Sequence, residues 1–338
     1  MFWGLGRRWE HPVSAPHGQA RPLASVSLDL DDLWTYLRTR GDPAWESRPS
    51  YLPAFVPLAL DLLDDLGLRI TVFVVGADAV REENRPHLQA ITARGHEVGN
   101  HSFSHEPWLH LRPAGELRDE VSRAEEAIAE ACGQRPTGFR GPGFSWSRDL
   151  LEVLAERRYA YDASTLPTFL APLARRYFLT GSRLDREERR RRGALFGSFR
   201  DGFRPIKPYY WRTSGGGRLL EIPITTLPGL RTPFHMSYLL YLGRISERLM
   251  VAYLHTAVTA CRAAGVEPSF LLHPLDLLGG DQAPGLAFFP GMDLPGAKKR
   301  ALVSQALRIL ERSFRLVPMA EHARRAVAPA ERGAEAFA

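Results

Sequence analysis

Short apolar stretches alternate with amphipathic ones along this chain, and polar groups gather where the apolar stretches stop. Residues 23–30 run into Asp29 and Asp31, and residues 69–75 (RITVFVV) precede a helix-spaced segment that ends at Gly95. Residues 137–142 carry Arg140, residues 159–164 carry Asp162, and residues 268–272 lead into His273. Strand followed by helix, repeated, requires a largely parallel sheet covered by helices, an α/β fold. In such sheets, open or closed into a barrel, reacting groups collect at the carboxyl ends of the strands. Asp29, Asp31, His101, Arg140, Asp162 and His273 all fall at such ends, and that coincidence outweighs any single motif.

The helices between are marked by their stops. Residues 52–66 have helical apolar spacing and end at Gly67; residues 117–132 end at Gly133; Ser147 is placed to cap a helix running to about Arg158. The regularity breaks between Leu166 and Phe234, where Pro, Gly and Arg crowd together with Tyr209, Tyr210 and Trp211. Residues 221–226 (EIPITT) read as a strand returning to the core. One long helix bent near Gly243 is expected over 236–264, a final helix over 301–314, and a short strand over 315–317. The expected organisation is a flexible arm at 1–22, one domain at 23–320 with an insertion at 166–220, and a polar tail at 321–338.

With 338 residues, 44% of them hydrophobic and 24% charged, the chain can bury a large core. Its net charge of +6 is a local excess: residues 183–192 hold six arginines among three acids. The rest is near balance, which argues against nucleic-acid binding. Cys132 and Cys261 form no metal or redox motif and read as buried thiols. No stretch has the pattern of a secretory signal or the length of a membrane span, so a cytoplasmic location is expected, with contact at a membrane surface left open.

Chemistry centres on His101-Ser102-Phe103-Ser104-His105. On a helical turn, side chains four apart share one face, so both imidazoles could reach one metal ion. The bland alternative is an ordinary polar helix. Two histidines need a third ligand, and the acidic run Asp29-Leu30-Asp31-Asp32 is the candidate. In an extended strand Asp29 and Asp31 point the same way and Asp32 points away; taken alone, the run could simply cap the next helix. A carboxylate beside a metal can bind it or take a proton from an activated water.

Arg140, in Phe139-Arg140-Gly141-Pro142-Gly143-Phe144, could hold a carboxylate, and the glycines could bring backbone N–H groups to a reacting oxygen. Without a partner site, a surface arginine in a turn is the simpler reading. His273, leaving an apolar strand, suits a general acid, with Asp276 or Asp162 to orient it; a structural histidine is the alternative. His235 is a candidate substrate contact.

In this order these motifs resemble the metal-dependent polysaccharide deacetylase family. The resemblance rests on Asp29-Leu30-Asp31, His101-Ser102-Phe103-Ser104-His105, Arg140-Gly141-Pro142, Tyr161-Asp162-Ala163-Ser164 and Leu271-Leu272-His273, and spans residues 25–276 with 166–220 largely unmatched. It implies a distorted (β/α) barrel with one divalent metal, zinc in the first place, with cobalt, nickel or manganese as alternatives. Asp31, His101 and His105 would be ligands and Asp29 the general base. Arg140 would brace Asp29 and His273 would act as acid. A backbone N–H near Gly143 would hold the oxyanion, Leu271 would line the acetyl pocket, and Pro142 would contact substrate. If instead the adjacent pair Asp31-Asp32 were used, Asp31 would be the base and Asp32 the ligand. Gly143 stands where the family usually has an aromatic residue.

The implied activity removes an acetyl group from an N-acetylated sugar of a glycan or lipid-linked saccharide. The arginine run, Tyr209-Tyr210-Trp211 and the 236–256 segment could together form a basic, aromatic flap at a membrane face. Two rivals stand beside this: a deformylase or other non-peptide amidase on the same site, and a catalytically inactive glycan-binding protein. The sequence does not set the oligomeric state.

Overall fold

Every residue of strand β1, Leu23–Leu30, is buried, and it pairs on both edges. That fits an apolar run with small polar residues at alternate positions: one side packs on helices and the other on a polar interior. The computed structural model describes residues 21–179, 184–191 and 197–330. The expected arm at 1–22 lies almost wholly outside these residues.

The elements follow in order: β1, α1 (Leu33–Arg40), α2 (Leu52–Asp65), β2 (Thr71–Val74), α3 (Gly76–Ala79), α4 (Arg85–Ala93) and β3 (Glu97–Asn100). Then come α5 (Ala114–Cys132), β4 (Gly138–Phe139), α6 (Arg148–Glu156), β5 (Tyr161–Asp162), α7 (Ala171–Leu179), α8 (Arg186–Arg191), β6 (Tyr209–Arg212) and β7 (Arg218–Glu221). The last are α9 (Met236–Ile245), α10 (Glu247–Ala264), β8 (Ser269–Leu272), α11 (Gly296–Ser313), β9 (Arg315–Val317) and α12 (Met319–Ala330).

The strand order is β6-β7-β5-β4-β3-β2-β1-β8, with β9 also on β1. All pairings are parallel except β6 with β7. The segment after β7 joins the two ends of this curled sheet. Ile222 N–H donates to the Asp162 carbonyl and Ile224 N–H to that of Thr165; Thr225 N–H then donates to the Ser269 carbonyl of β8. The result is a distorted (β/α) barrel, with carboxyl strand ends at one mouth. At the other end, α12 closes the floor: Met319 N–H donates to Thr71 Oγ1 and Ala320 N–H to Glu97 Oε2.

Four expectations are corrected. The polar tail from residue 321 is helical as far as Ala330, with Met319, His322 and Ala323 buried; small alanines conceal its amphipathic face. The single bent helix over 236–264 is two helices, because Ser246 adopts extended backbone and caps α10 by accepting from Leu249 N–H. Tyr209 and Trp211 belong to no exposed flap: in β6 they face inward, 3% and 4% exposed, and Trp211 stacks on Trp146. Part of the expected insertion is barrel wall, since β7 pairs with β5.

Candidate metal centre and active site

The two histidines meet in a loop. Residues 101–105 are not helical, and Ser102 (φ 61°) and His105 (φ 48°) have left-handed backbone. Non-glycine residues in that region are strained and persist only where neighbours hold them. Glu120 of α5 does much of the holding: its carboxylate accepts from Phe103 N–H (3.1 Å), Ser104 N–H (2.9 Å) and Ser104 O–H (2.5 Å). Asn100 Oδ1 accepts from Ser102 N–H, and Ser102 Oγ accepts from His105 N–H. Arg38 donates to the Ser104 carbonyl at 2.6 Å. Asn100, Glu120 and Arg38 were not singled out in the sequence; a carboxylate one helix beyond a histidine motif gives no local sign of its reach.

The loop brings the rings within 5.0 Å, centroid to centroid. His101 Nε2 lies 3.3 Å and His105 Nε2 2.9 Å from Asp31 Oδ1. Donor atoms of Asp31, His101 and His105, all buried, lie within 4.8 Å of one another. His101 Nδ1 is 2.6 Å from the Arg140 carbonyl, which can only accept, so Nδ1 carries a proton. The neutral ring then aims its Nε2 lone pair at the Asp31 carboxylate, as zinc-type sites require. Lone pairs converging on a carboxylate repel unless a positive charge lies among them. Burial favours neutral His101, but Asp29 and Asp31 outweigh it and push the ring up. Burial would also raise Asp31, yet His105 and His101 hold it well below the usual carboxylate range. The donor set therefore fits a divalent cation.

Asp32 takes no part in this cluster. It caps α1, its Oδ1 accepting from Leu33 N–H (2.7 Å) and Tyr51 N–H (2.9 Å). The geometry follows the spaced pair, Asp29 and Asp31.

Asp29 lies against the cluster, its Oδ2 4.0 Å from His101 Nε2. Arg140, wholly enclosed, donates to Asp29 Oδ1 at 2.7 Å, to Ser27 Oγ at 2.8 Å and to the Ala163 carbonyl at 3.0 Å. Its guanidinium lies over the Phe73 ring, 4.4 Å from the centroid. Phe73 is the register partner of Asp29 and Leu271 that of Ser27, so these side chains share the barrel interior. Across it, His273 Nε2 lies 3.9 Å from Asp29 Oδ2.

Asp162, one of the two candidates to orient His273, instead accepts from Ser164 O–H at 2.6 Å through its Oδ1. Burial and the neighbouring Glu221 push its carboxyl well up. The acid facing His273 is Asp276, 3.9 Å from Nδ1. Asp276 follows the strand by one turn, whereas Asp162 is carried inward by β5. Pro142 and Gly143 (φ 60°) form the turn after Arg140. Leu271 is fully buried in one cluster with Phe144, Leu166 and Ile224, which the sequence reading did not assign. His235, half-buried, has its ring 6.3 Å from that of His273 and its Nδ1 without a partner; burial, then His273, pushes it down to about 3.

This mouth and ring of strands match known proteins. A family profile described as Polysaccharide deacetylase matches residues 23–161, and over that stretch the chain is similar to that family. Chitooligosaccharide deacetylase from Bradyrhizobium sp. is 37% identical over 106 residues, 31% of this chain and 47% of that protein. Peptidoglycan deacetylase from Helicobacter pylori is 28% identical over 167 residues, 48% of this chain and 56% of that protein. The chain thus spans about half the length of the curated relatives it matches. A crystal structure from Mycobacterium smegmatis, assigned to the polysaccharide deacetylases, shares the fold with a TM-score of 0.58 and 19% identity, over 97% of this chain and 96% of that one.

Proposed function

We propose that this protein removes the acetyl group from an N-acetylated sugar by metal-dependent hydrolysis. The observation that carries the reading is one constellation: Asp31, His101 and His105 around a shared point, with Asp29 and His273 3.9 Å apart beside it. A divalent ion held by those three residues, zinc by their donor set, would supply Lewis acidity to a water and to the amide carbonyl. Asp29 takes the proton from the attacking water, and Arg140 keeps that carboxylate oriented. Water adds to the carbonyl carbon while the turn at Gly143 offers backbone N–H to the developing oxyanion. His273 gives a proton to the nitrogen as the carbon–nitrogen bond breaks, releasing acetate and the free amine. Leu271, with Ile224 and Leu166, supplies the apolar wall for the methyl group, and Pro142 and His235 border the sugar.

The test is acetate release from N-acetylated chito-oligosaccharides and peptidoglycan fragments by the purified protein. Asp29→Asn should lower kcat by at least about 100-fold with the fold intact; unchanged turnover would remove Asp29 from the base role. Formate release from an N-formyl sugar in place of acetate would favour the amidase alternative.

A lipid-linked saccharide is the finer form of this proposal. Phe199 and Phe203 are 55% and 72% exposed near Arg200 in sequence, and Tyr241 and Ile245 of α9 and Leu249 of α10 are exposed near Arg244 and Arg248 in sequence. Exposed apolar groups among cations suit an anionic membrane surface. Among the described residues no helix is long and apolar enough to cross a membrane. Sedimentation with anionic liposomes tests the contact; protein that stays in solution and deacetylates only free oligosaccharides would overturn it. A cytoplasmic location belongs to the same reading, supported by two buried, unpaired cysteines, and fractionation tests it.

A further inference from the structure

We infer that a cavity on the rim of the mouth is a subsite for an anionic group, carboxylate or phosphate, carried by the glycan outside the reacting sugar. This deepens the deacetylase reading and rests on it. The cavity, of about 220 Å³, lies between the start of α6 and β6. Trp146 forms one wall. It follows the carboxyl end of β4 two residues after Phe144, which packs with Leu271 and Ile224 of the proposed acetyl wall. The cavity and the metal centre therefore share one mouth. Trp146 and Trp211 stack at 5.0 Å and 29°, and the Arg204 guanidinium lies over both rings, 4.1 Å from the Trp146 centroid and 5.0 Å from that of Trp211. Trp211 is fixed in turn, its Nε1 donating to Glu221 Oε2 at 2.9 Å. The indoles and the arginine stems give an apolar lining that suits the C–H face of a sugar ring.

The charge around this cavity is unbalanced. Arg148, Arg204 and Arg212 line it against a single acid, Glu152. Glu152 Oε1 accepts from Ser214 N–H at 2.6 Å. Arg204 Nε donates to Asp201 Oδ1 at 2.7 Å, and Asp201 Oδ2 is taken by the N–H and O–H of Ser198. Among the described residues no acceptor takes the terminal nitrogens of Arg204 or any side-chain nitrogen of the exposed Arg148. Two guanidinium groups thus bring unclaimed donors to one small cavity. Asp201 and the two indoles hold Arg204 in place, so part of the ordering cost of binding is already met. Guanidinium forks match the paired oxygens of a carboxylate or a phosphate. A neutral glycan would leave those donors to water, so the cavity selects for charge.

Calorimetric titration of the Asp29→Asn protein with zinc added, in which turnover is slowed, tests this. A peptide-free peptidoglycan tetrasaccharide, which carries sugar carboxylates, should bind at least about tenfold more tightly than N-acetylated chitotetraose, a preference that weakens with added salt. N-acetylglucosamine 1-phosphate against N-acetylglucosamine is the phosphate arm, and the arm with the larger gain names the group. Arg148→Gln, at an exposed position that leaves the core intact, and Arg204→Gln should each weaken the charged ligand about tenfold, and Arg148→Lys should recover part of the loss. Equal affinity for charged and neutral ligands in both arms, or an unmoved affinity in both glutamine variants, would overturn the inference. Charge-selective binding with no acetate release from the unaltered protein would defeat the deacetylase reading and leave the subsite standing. Acetate release without charge preference would do the reverse.

Discussion

Arg140 donates to Asp29 at 2.7 Å, and neither side chain is more than 4% exposed. A pair so enclosed is costly to break because the survivor stays buried without compensation. Arg140→Ala should destabilise the protein by about 3–5 kcal/mol, measured by denaturant unfolding, and abolish acetate release. Arg140→Lys should recover part of the stability, since one ammonium cannot reach Ser27, Asp29 and the Ala163 carbonyl together.

Metal should be linked to both activity and stability. Dialysis against a chelator should end acetate release and lower Tm, with both restored by added zinc, because an ion bound only by the folded state adds RT ln(1 + [L]/Kd) to its stability. His101→Ala, His105→Ala and Asp31→Ala should each leave a protein whose Tm no longer responds to zinc. A response that persists in all three would place the ion elsewhere.

Glu120→Ala should weaken metal binding without touching a ligand. Three hydrogen bonds from Phe103 and Ser104 are lost, and His105 is freed from its left-handed backbone. A loss of about 10- to 100-fold in metal affinity is expected, as for other groups that orient ligands. Titration with zinc against a competing chromophoric chelator would measure it.

Acid should unfold the protein partly through histidines far from the site. His96 accepts Ile70 N–H into Nδ1 and His322 bonds Ser25 Oγ; burial pushes both down to about 4. Their folded values lie below the ordinary value of about 6.5, so folding favours the neutral rings. The stability from each is fully present above about pH 6.5 and is lost as pH falls through 4, about 3 kcal/mol per ring. His322→Asn should give a shallower fall in unfolding free energy between pH 6.5 and 4.

The strand ends were legible because β1 and β8 are apolar runs that stop at carboxylates or a histidine, and such residues have few other places to go. The histidine motif was legible as chemistry but not as shape. Nothing in Ser102 or His105 announces left-handed backbone; Glu120, Asn100 and Arg38 impose it from a distance. The partner of His273 was left open between Asp162 and Asp276, because which way a two-residue strand turns its side chains depends on its neighbours. Tyr209 and Trp211 looked like surface aromatics until their pairing opposite β7 turned them inward.

The floor of the barrel has a consequence for the order of events in folding. Met319 Sδ lies 3.4 Å from Arg140 Nη2, 179 residues apart in sequence, and Ser25 meets His322 across 297. Arg140 in turn reaches back 111 residues to Asp29. Contacts of such separation form late, after much loop entropy has been spent. During synthesis, the groups at the mouth would be held in register only once nearly the whole barrel and α12 had emerged, so partly made chains would carry the motifs without the assembled centre.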